Sequence, residues 1–462
     1  MKDSDIRVLE LEPFFSEEKA REPLKFGAVV VPETTYCHVR ARVENRRGIV
    51  ADGWGAIFVM DFWAFPTPRI EHAVKDRAMR RATELFCRRT AQHERFAHPI
   101  DIFQAVEDEL QQIADEVTSE FGLVEPFPFL AALVCASPVD AALHDAFGIA
   151  NGISTYDGYG PDFTTHDLGR YLGSEFRDRY LSEFIQPRYA PTIPVFHLVG
   201  GLDKLRESEV GPDAPHAGLP NSLDRWVERD GLTCLKVKLR GTDIDWDVNR
   251  ILEVYRIGRE VQARQNRDEL YLSADTNEQC DSPAYVVEML QRVREAAPEA
   301  YDAILYIEQP TERDLAASRH DMRELGALKP VIVDESLISL GDMDLALELG
   351  WSGVALKTCK CHSMALLVAA KAQAAGIPYT VQDLTNPGLA LLHSVGLAAR
   401  LKPLMGVEAN SRQYFPATSE PERALHPDVF TLHDGMARTG SLRGPGLGYQ
   451  IDKIQRPIFH PK

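Results

Sequence analysis

Along the second half of the chain, short apolar runs recur at 195–199, 234–239, 270–274, 304–307, 331–333, 354–356, 379–381 and 404–407, separated mainly by helix-length segments. Eight strand-like runs alternating with helical stretches predict an α/β barrel of the TIM type, here written as a modified (β/α)7β barrel. The first part of the chain has a different rhythm. Two apolar runs at 29–31 and 37–43, with a turn near Asn45-Arg-Arg-Gly48, predict a strand pair followed by helices, an α+β unit. From Ile102, the residues Val106, Leu110, Ile113, Val117 and Phe121 fall at steps of four and three, predicting one helix with a buried face. A second helix is expected to start near Ser137-Pro138, where Ser can cap and Pro suits the first turn, and to end over Gly148 to Gly152. Residues 168–184 suggest a further helix.

These rhythms divide the chain into an α+β unit over 1–150, a connector with an insertion over 151–190, the barrel over 191–411, and a tail over 412–462 rich in Gly and Pro turns. A length of 462 residues with 44% hydrophobic positions allows a large core in two or more parts. The formal net charge of −18 argues against nucleic acid or an anionic membrane as the main partner. The opening Met1-Lys-Asp-Ser-Asp-Ile-Arg7 lacks a secretory pattern, and no run of about 18 apolar residues suggests a membrane span, so a cytoplasmic location is the default expectation. Seven dispersed cysteines point to reduced thiols rather than a disulfide framework.

The chemistry sits where the barrel runs end. Lys236 and Lys238 share one face of their strand, so each raises the cost of the other's charge, and one can serve as a base. The next four runs deliver Asp275, Glu308, Asp334 and Lys357 at spacings of 37, 33, 26 and 23 residues, each long enough for one helix and its loops. Strand C-termini in such a barrel converge at one mouth. Three carboxylates brought together there repel one another unless a cation sits among them, and a hard ion such as Mg²⁺ suits their oxygens. Lys238 and Lys357 would flank that ion from opposite sides, an arrangement suited to proton traffic on two faces of one carbon. Asp334 and Glu335 are adjacent and expected to point to opposite faces, so only one of them can be the inward ligand.

With those motifs in place, the chain resembles the enolase superfamily, in particular the muconate lactonizing enzyme-like subgroup of the mandelate racemase and muconate lactonizing enzyme relatives. The resemblance is carried by Lys236-Val-Lys238, Asp275-Thr-Asn277, Ile307-Glu308-Gln309-Pro310, Asp334-Glu335-Ser336 and Leu356-Lys357, and outside the barrel by Gly53-Trp-Gly55, Ala141-Ala-Leu-His-Asp145 and Gly444-Pro-Gly-Leu-Gly448. It implies an α+β capping domain, built from the N-terminal segment and the C-terminal tail, over the barrel mouth. It also implies Mg²⁺ held by Asp275, Glu308 and Asp334, and an acid/base pair of Lys238 and Lys357, with Lys236 tuning Lys238 or touching the substrate carboxylate. The implied chemistry is removal of the proton α to a carboxylate through a metal-stabilised enolate. A Lys/Lys site favours a racemase or epimerase; a dehydratase, lyase or cycloisomerase is the alternative, and a silent ligand-binding relative the reading from another class.

Asn277, Glu335, Asp383, Glu408 and His197 are candidate substrate or supporting residues; His197 either contacts substrate or packs, and Asp383 and Glu408 either line the pocket or form loop salt bridges. The aromatic stretch 54–65 is either a lid or capping-domain core. Cys359-Lys-Cys361-His362 is discounted as a soft-metal site for want of a second Cys/His group. Insertions near 160–190 and 202–220, and Arg21 and Lys25 in the loops at 13–34, leave an apolar or an anionic distal substrate group open. The expected partner is a small carboxylate substrate, in a homo-oligomer.

Overall fold

The computed structural model describes residues 1–26, 29–215 and 218–460, with the side chains of residues 23–31, Lys25 among them, outside the description. The N-terminal unit holds three antiparallel strands rather than a pair: β1 (Ile6–Phe26), β2 (Val29–Asn45) and β3 (Val50–Val59). The far half of β1 is rich in Glu, Lys and Arg and shows no alternation, because it extends past the sheet core; there Thr418 Oγ1 donates to Glu18 at 2.8 Å. Five helices follow: α1 (Asp61–Ala64), α2 (His72–Ala91), α3 (Pro99–Glu107), α4 (Glu109–Glu120) and α5 (Phe129–Asn151).

Two helix expectations change. The apolar stripe from Ile102 to Val117 is divided between α3 and α4 at Asp108, so its period outlasts the helix that carries it. The helix expected at Ser137-Pro138 starts at Phe129 and runs through the proline. Pro138 has no N–H for the carbonyl four residues back, but Ser137 Oγ donates to that same Val134 carbonyl at 2.8 Å, which satisfies the orphan. α5 is long and apolar enough to cross a membrane, yet it is almost entirely buried as the core helix of this unit. Residues 168–184 form short turns instead of the suggested helix.

Sheet and helix meet at backbone contact. A Cβ on Gly53 would lie 2.1 Å from the Ala146 nitrogen, and one on Gly55 2.0 Å from the Pro138 carbonyl oxygen. Asp145 of α5 then accepts the Trp54 N–H at 3.0 Å and the Leu447 N–H at 2.8 Å, tying strand, helix and C-terminal tail through one carboxylate. The three segments outside the barrel that carry the family resemblance are therefore one joint.

The barrel strands are β4 (Thr192–Val199), β5 (Cys234–Lys238), β6 (Tyr271–Asp275), β7 (Ile304–Glu308), β8 (Val331–Val333), β9 (Gly353–Lys357), β10 (Tyr379–Gln382) and β11 (Val407–Glu408). All neighbours are parallel, and pairing of β11 with β4 closes the barrel. The eighth strand lies later than the expected 404–407, because Gly406 turns at φ 50° against the Pro194 carbonyl before pairing begins. The tail also adds β12 (Met436–Arg438), antiparallel to the start of β4. Phe196, Cys234, Tyr306, Ile332 and Ala355 fill the barrel interior beneath the mouth.

Candidate active site

Register places the ionisable residues in a ring. Lys238 pairs with Asp275 across β5 and β6, and Asp275 with Glu308 across β6 and β7. Asp275, Glu308 and Asp334 are 1%, 1% and 0% exposed, so their charges must be answered from within. Lys236 sits between strands, donating to Glu308 Oε1 at 2.7 Å and Glu408 Oε2 at 2.8 Å, with Asp275 Oδ2 at 3.1 Å. Lys238 donates to Asp275 and, at 2.7 Å, to Asn277 Oδ1. On the other side Lys357 Nζ lies 2.6 Å from Asp334 Oδ2.

Burial alone would raise the pKa of Asp275 and Asp334, but the lysines beside them hold both carboxyls well below the usual range. Glu308 is pushed up to about 8 by burial despite Lys236, and Glu335 to about 8 by burial and Asp334. Burial opposes the charges of Lys236 and Lys357, yet the surrounding carboxylates together outweigh it, Glu308 with Glu408 and Asp275 for Lys236 and Asp334 with Glu308 and Glu335 for Lys357, and raise both ammonium pKa values. The fall toward neutrality that a lysine base needs is thus absent while these carboxylates face the lysines bare.

The candidates of the second rank divide. Glu335 does not turn away from Asp334: β8 ends at Val333, so strand alternation no longer governs either residue, and both face the mouth. Glu335 Oε1 accepts from Trp63 Nε1 at 2.8 Å, and the Trp63 ring centroid is 4.7 Å from Lys357 Nζ. Asp383 lines the mouth, is bonded by Asn386 and Ser394, and is pushed up to about 7 by burial. His197 faces outward instead, bonded to Arg412 at 2.8 Å and packed on Trp226.

The aromatic stretch 54–65 is both things at once. Trp54 and Phe58 pack in the core against Phe459 and Phe415, whereas Phe62 and Trp63 of α1 cover the mouth. Arg313 Nη1 fixes the Trp63 carbonyl at 3.1 Å. Sequence reasoning missed Lys360, which donates to Asp334 Oδ1 at 3.0 Å, and Gln382, which donates to Glu308 Oε2 at 2.7 Å. Lys360 was hidden in the discounted Cys-Lys-Cys-His run, though its spacing of three from Lys357 was a signal. Gln382 is the last residue of its strand, where the other runs carry their functional groups.

The family model for enolase C-terminal domain-like proteins matches residues 219–455, just over half of the chain. The chain belongs to that family. Solved structures share the enolase-type fold at low identity. A substrate-liganded L-Ala-D/L-Glu epimerase from Bacillus subtilis is 16% identical with a TM-score of 0.62, covering 96% of this chain and 98% of that one. A muconate lactonizing enzyme from Mucobacterium Smegmatis, complexed with muconolactone, is 18% identical with a TM-score of 0.60 and 96% coverage of both chains. A dipeptide epimerase from Enterococcus faecalis V583, complexed with Mg and L-Leu-L-Tyr, is 17% identical with a TM-score of 0.55, covering 88% and 91%. No curated protein matches the chain.

Enolase-type proteins imply a divalent metal, and the residues here fit one. Among the described residues no three carboxylate, thiol or imidazole groups converge as they stand, because ammonium groups lie between the carboxylates. The charge count leaves room for an ion. Asp275, Glu308, Asp334, Glu335, Asp383 and Glu408 face Lys236, Lys238, Lys357 and Lys360, an excess of two negative charges when all are ionised. A buried oxygen is also left over: Glu335 Oε2 accepts no hydrogen bond, while Asp334 Oδ2 is held by the Lys357 ion pair. An all-oxygen donor set in which six carboxyls face four ammonium groups matches a hard divalent cation such as Mg²⁺, whose charge would favour the ionised form of Glu308 and Glu335.

Proposed function

We propose that this protein is a Mg²⁺-dependent enzyme of the Lys/Lys kind that removes and returns the proton α to a carboxylate, a racemase or epimerase. The observation that carries the reading is the placement of two lysines on separate carboxylates, Lys238 on Asp275 and Lys357 on Asp334, at the two ends of the carboxylate arc. Asp275, Glu308 and Asp334 would hold the ion, which when bound stabilises the negative charge that develops on the substrate carboxylate as the α-proton leaves.

The remaining work falls to the side chains of this chain. Asp275 and Asp334, when shared with the ion, would hold Lys238 and Lys357 less firmly, and a neutral amine at each Nζ would then cost less. One neutral Nζ takes the α-proton while the other, still charged, returns a proton from the opposite face; the reverse assignment serves the other enantiomer. Lys236, locked by Glu308 and Glu408, stays charged and adds positive potential at the mouth. Trp63 and Phe62 roof the site and exclude water. A second reading has one support: the indole face over Lys357 favours its charged form, which suits a lysine that only stabilises the enolate in an elimination or cycloisomerisation.

The test is solvent deuterium incorporation with Mg²⁺ across pools of amino-acid derivatives, dipeptides, hydroxy acids and sugar acids. Exchange with retained mass composition in both stereochemical directions supports epimerisation. Exchange with loss of water or another leaving group moves the reading to a lyase, and no Mg²⁺-dependent exchange in any pool overturns the proton-transfer reading.

A further inference from the structure

The backbone directly after the first carboxylate is strained. Asn277 and Glu278 stand in succession at φ 50° and 65°, and Gln309, directly after Glu308, stands at φ 30°, a region that residues other than glycine seldom adopt. The two turns hold each other, the Glu278 N–H donating to the Gln309 carbonyl at 3.1 Å and the Cys280 N–H to that of Pro310 at 3.0 Å. Asparagine tolerates the left-handed region, whereas glutamate has no such preference, so Glu278 needs a hold from outside the turn. Arg313 supplies it with a fork: Nε donates to Glu278 Oε1 at 2.7 Å and Nη2 to Oε2 at 2.5 Å. The two side chains are 25% and 11% exposed, so water screens the pair little.

The third nitrogen of the same guanidinium reaches the capping unit. α1 is a single turn, and the Thr67 N–H that would close its next bond goes to the Phe65 carbonyl, which leaves the Trp63 carbonyl for Arg313 Nη1. Trp63 covers Lys357 with its ring, while Glu278 follows Asn277, whose Oδ1 accepts from Lys238 Nζ at 2.7 Å. One guanidinium therefore joins the roof over one lysine to the turn that holds the other.

We propose that Arg313 is a positioning residue for Lys238: it braces Glu278 against the Trp63 carbonyl and so keeps Asn277 in the conformation that aims Lys238 Nζ. The proposal rests on the proton-transfer reading above for what Lys238 does. Without Arg313 the turn is free to leave the left-handed region, Asn277 Oδ1 swings away from Nζ, and Lys238 settles on Asp275. Lys357 is spared, because Trp63 keeps its indole bond to Glu335. The loss is therefore one-sided, which a general loosening of the fold would not produce.

The test uses the Mg²⁺-loaded full chain with L-leucyl-L-alanine and L-leucyl-D-alanine as probes. Lys238→Ala first identifies the diastereomer whose α-proton Lys238 removes. Arg313→Met should lower kcat for deuterium exchange of that diastereomer about tenfold, with KM within about twofold, and leave the other diastereomer within about twofold. Glu278→Gln breaks the same fork from its other end and should act alike, and the double variant should be no worse than either, as expected of one pair. An equal fall for both diastereomers, or unchanged kinetics in both folded variants, overturns the proposal. Substrate-free backbone amide exchange, read by mass spectrometry, should quicken about tenfold within 61–65 and 276–280 in both variants while other segments stay as they are. Should neither dipeptide exchange its α-proton, that local quickening upholds the brace and places the failure in the proton-transfer reading; unchanged amides overturn the brace.

Discussion

Two regions of this molecule bury polar side chains, and they do so by opposite rules. At the seam between the capping unit and the barrel, Asp140 accepts the Ser363 N–H and Oγ–H, and His144 Nε2 donates to Ser363 Oγ at 2.8 Å. Tyr159 donates to His144 Nδ1 at 2.7 Å and accepts from His362 Nε2 at 3.0 Å, and His393 donates to His362 Nδ1 at 2.8 Å. Each member donates one way and accepts the other with neutral rings, and burial pushes the His144 and His362 imidazoles well down and His393 to about 3. At the mouth, carboxyl groups outnumber the ammonium groups that face them, and Glu335 Oε2 is buried with no hydrogen bond. A satisfied neutral chain holds two parts together; an unsatisfied charged ring is costly unless something binds it. The contrast separates what keeps the fold from what the proposed reaction would use.

The sharpest way to break that contrast is at the mouth. Lys238→Ala and Lys357→Ala should each lower α-proton exchange by roughly 10²- to 10⁴-fold in folded, Mg²⁺-loaded protein, read by exchange kinetics beside a melting curve that also reports the stability Lys357→Ala loses by leaving Asp334 one buried partner short. The reverse pattern is expected inside the capping unit, where β3 packs on α5. Gly55→Ala places a methyl 2.0 Å from the Pro138 carbonyl oxygen, and denaturant unfolding should report a loss of about 3 kcal/mol or more, with the lysine chemistry intact in the fraction that folds.

Metal binding offers a third comparison. Mg²⁺ at about 100 times its Kd should stabilise the protein by about 2.7 kcal/mol, and the increment should vanish on chelation and in Asp275→Asn, yet persist in Gly55→Ala.

A smaller effect tests the joint of strand, helix and tail by pH. Burial pushes Asp145 up to about 7, against the pull of the Leu447 and Trp54 N–H groups. A carboxyl with a raised folded pKa binds its proton more tightly in the native state, so its contribution is fullest below the unfolded value near 4 and is lost as pH rises through about 7. Asp145→Asn leaves one of the two backbone N–H groups without an acceptor, at a cost of about 2 kcal/mol. That cost should be larger at pH 5 than at pH 8 in urea titrations, because only the wild type loses stability across the window. An equal cost at both values would show that the carboxylate is already ionised at pH 5.

The residues themselves determined the barrel, its strand ends and the ring of Lys236, Lys238, Asp275, Glu308, Asp334 and Lys357. The reason is that a strand places alternate residues on one face and a closed parallel barrel gathers strand C-termini, so local pattern and topology agree. Tertiary structure alone decided the rest. Pro138 stays inside a helix because Ser137 answers for its missing N–H, and Glu335 joins Asp334 because the strand has already ended. Lys360 reaches Asp334 only through the turn after β9, and Trp63 reaches Lys357 only because the capping unit folds over the mouth. Arg21 and Gln413, 392 residues apart, meet by the same route, Arg21 Nη1 donating to the Gln413 carbonyl. Such contacts follow from which surfaces the folded parts bring together, which no local spacing encodes.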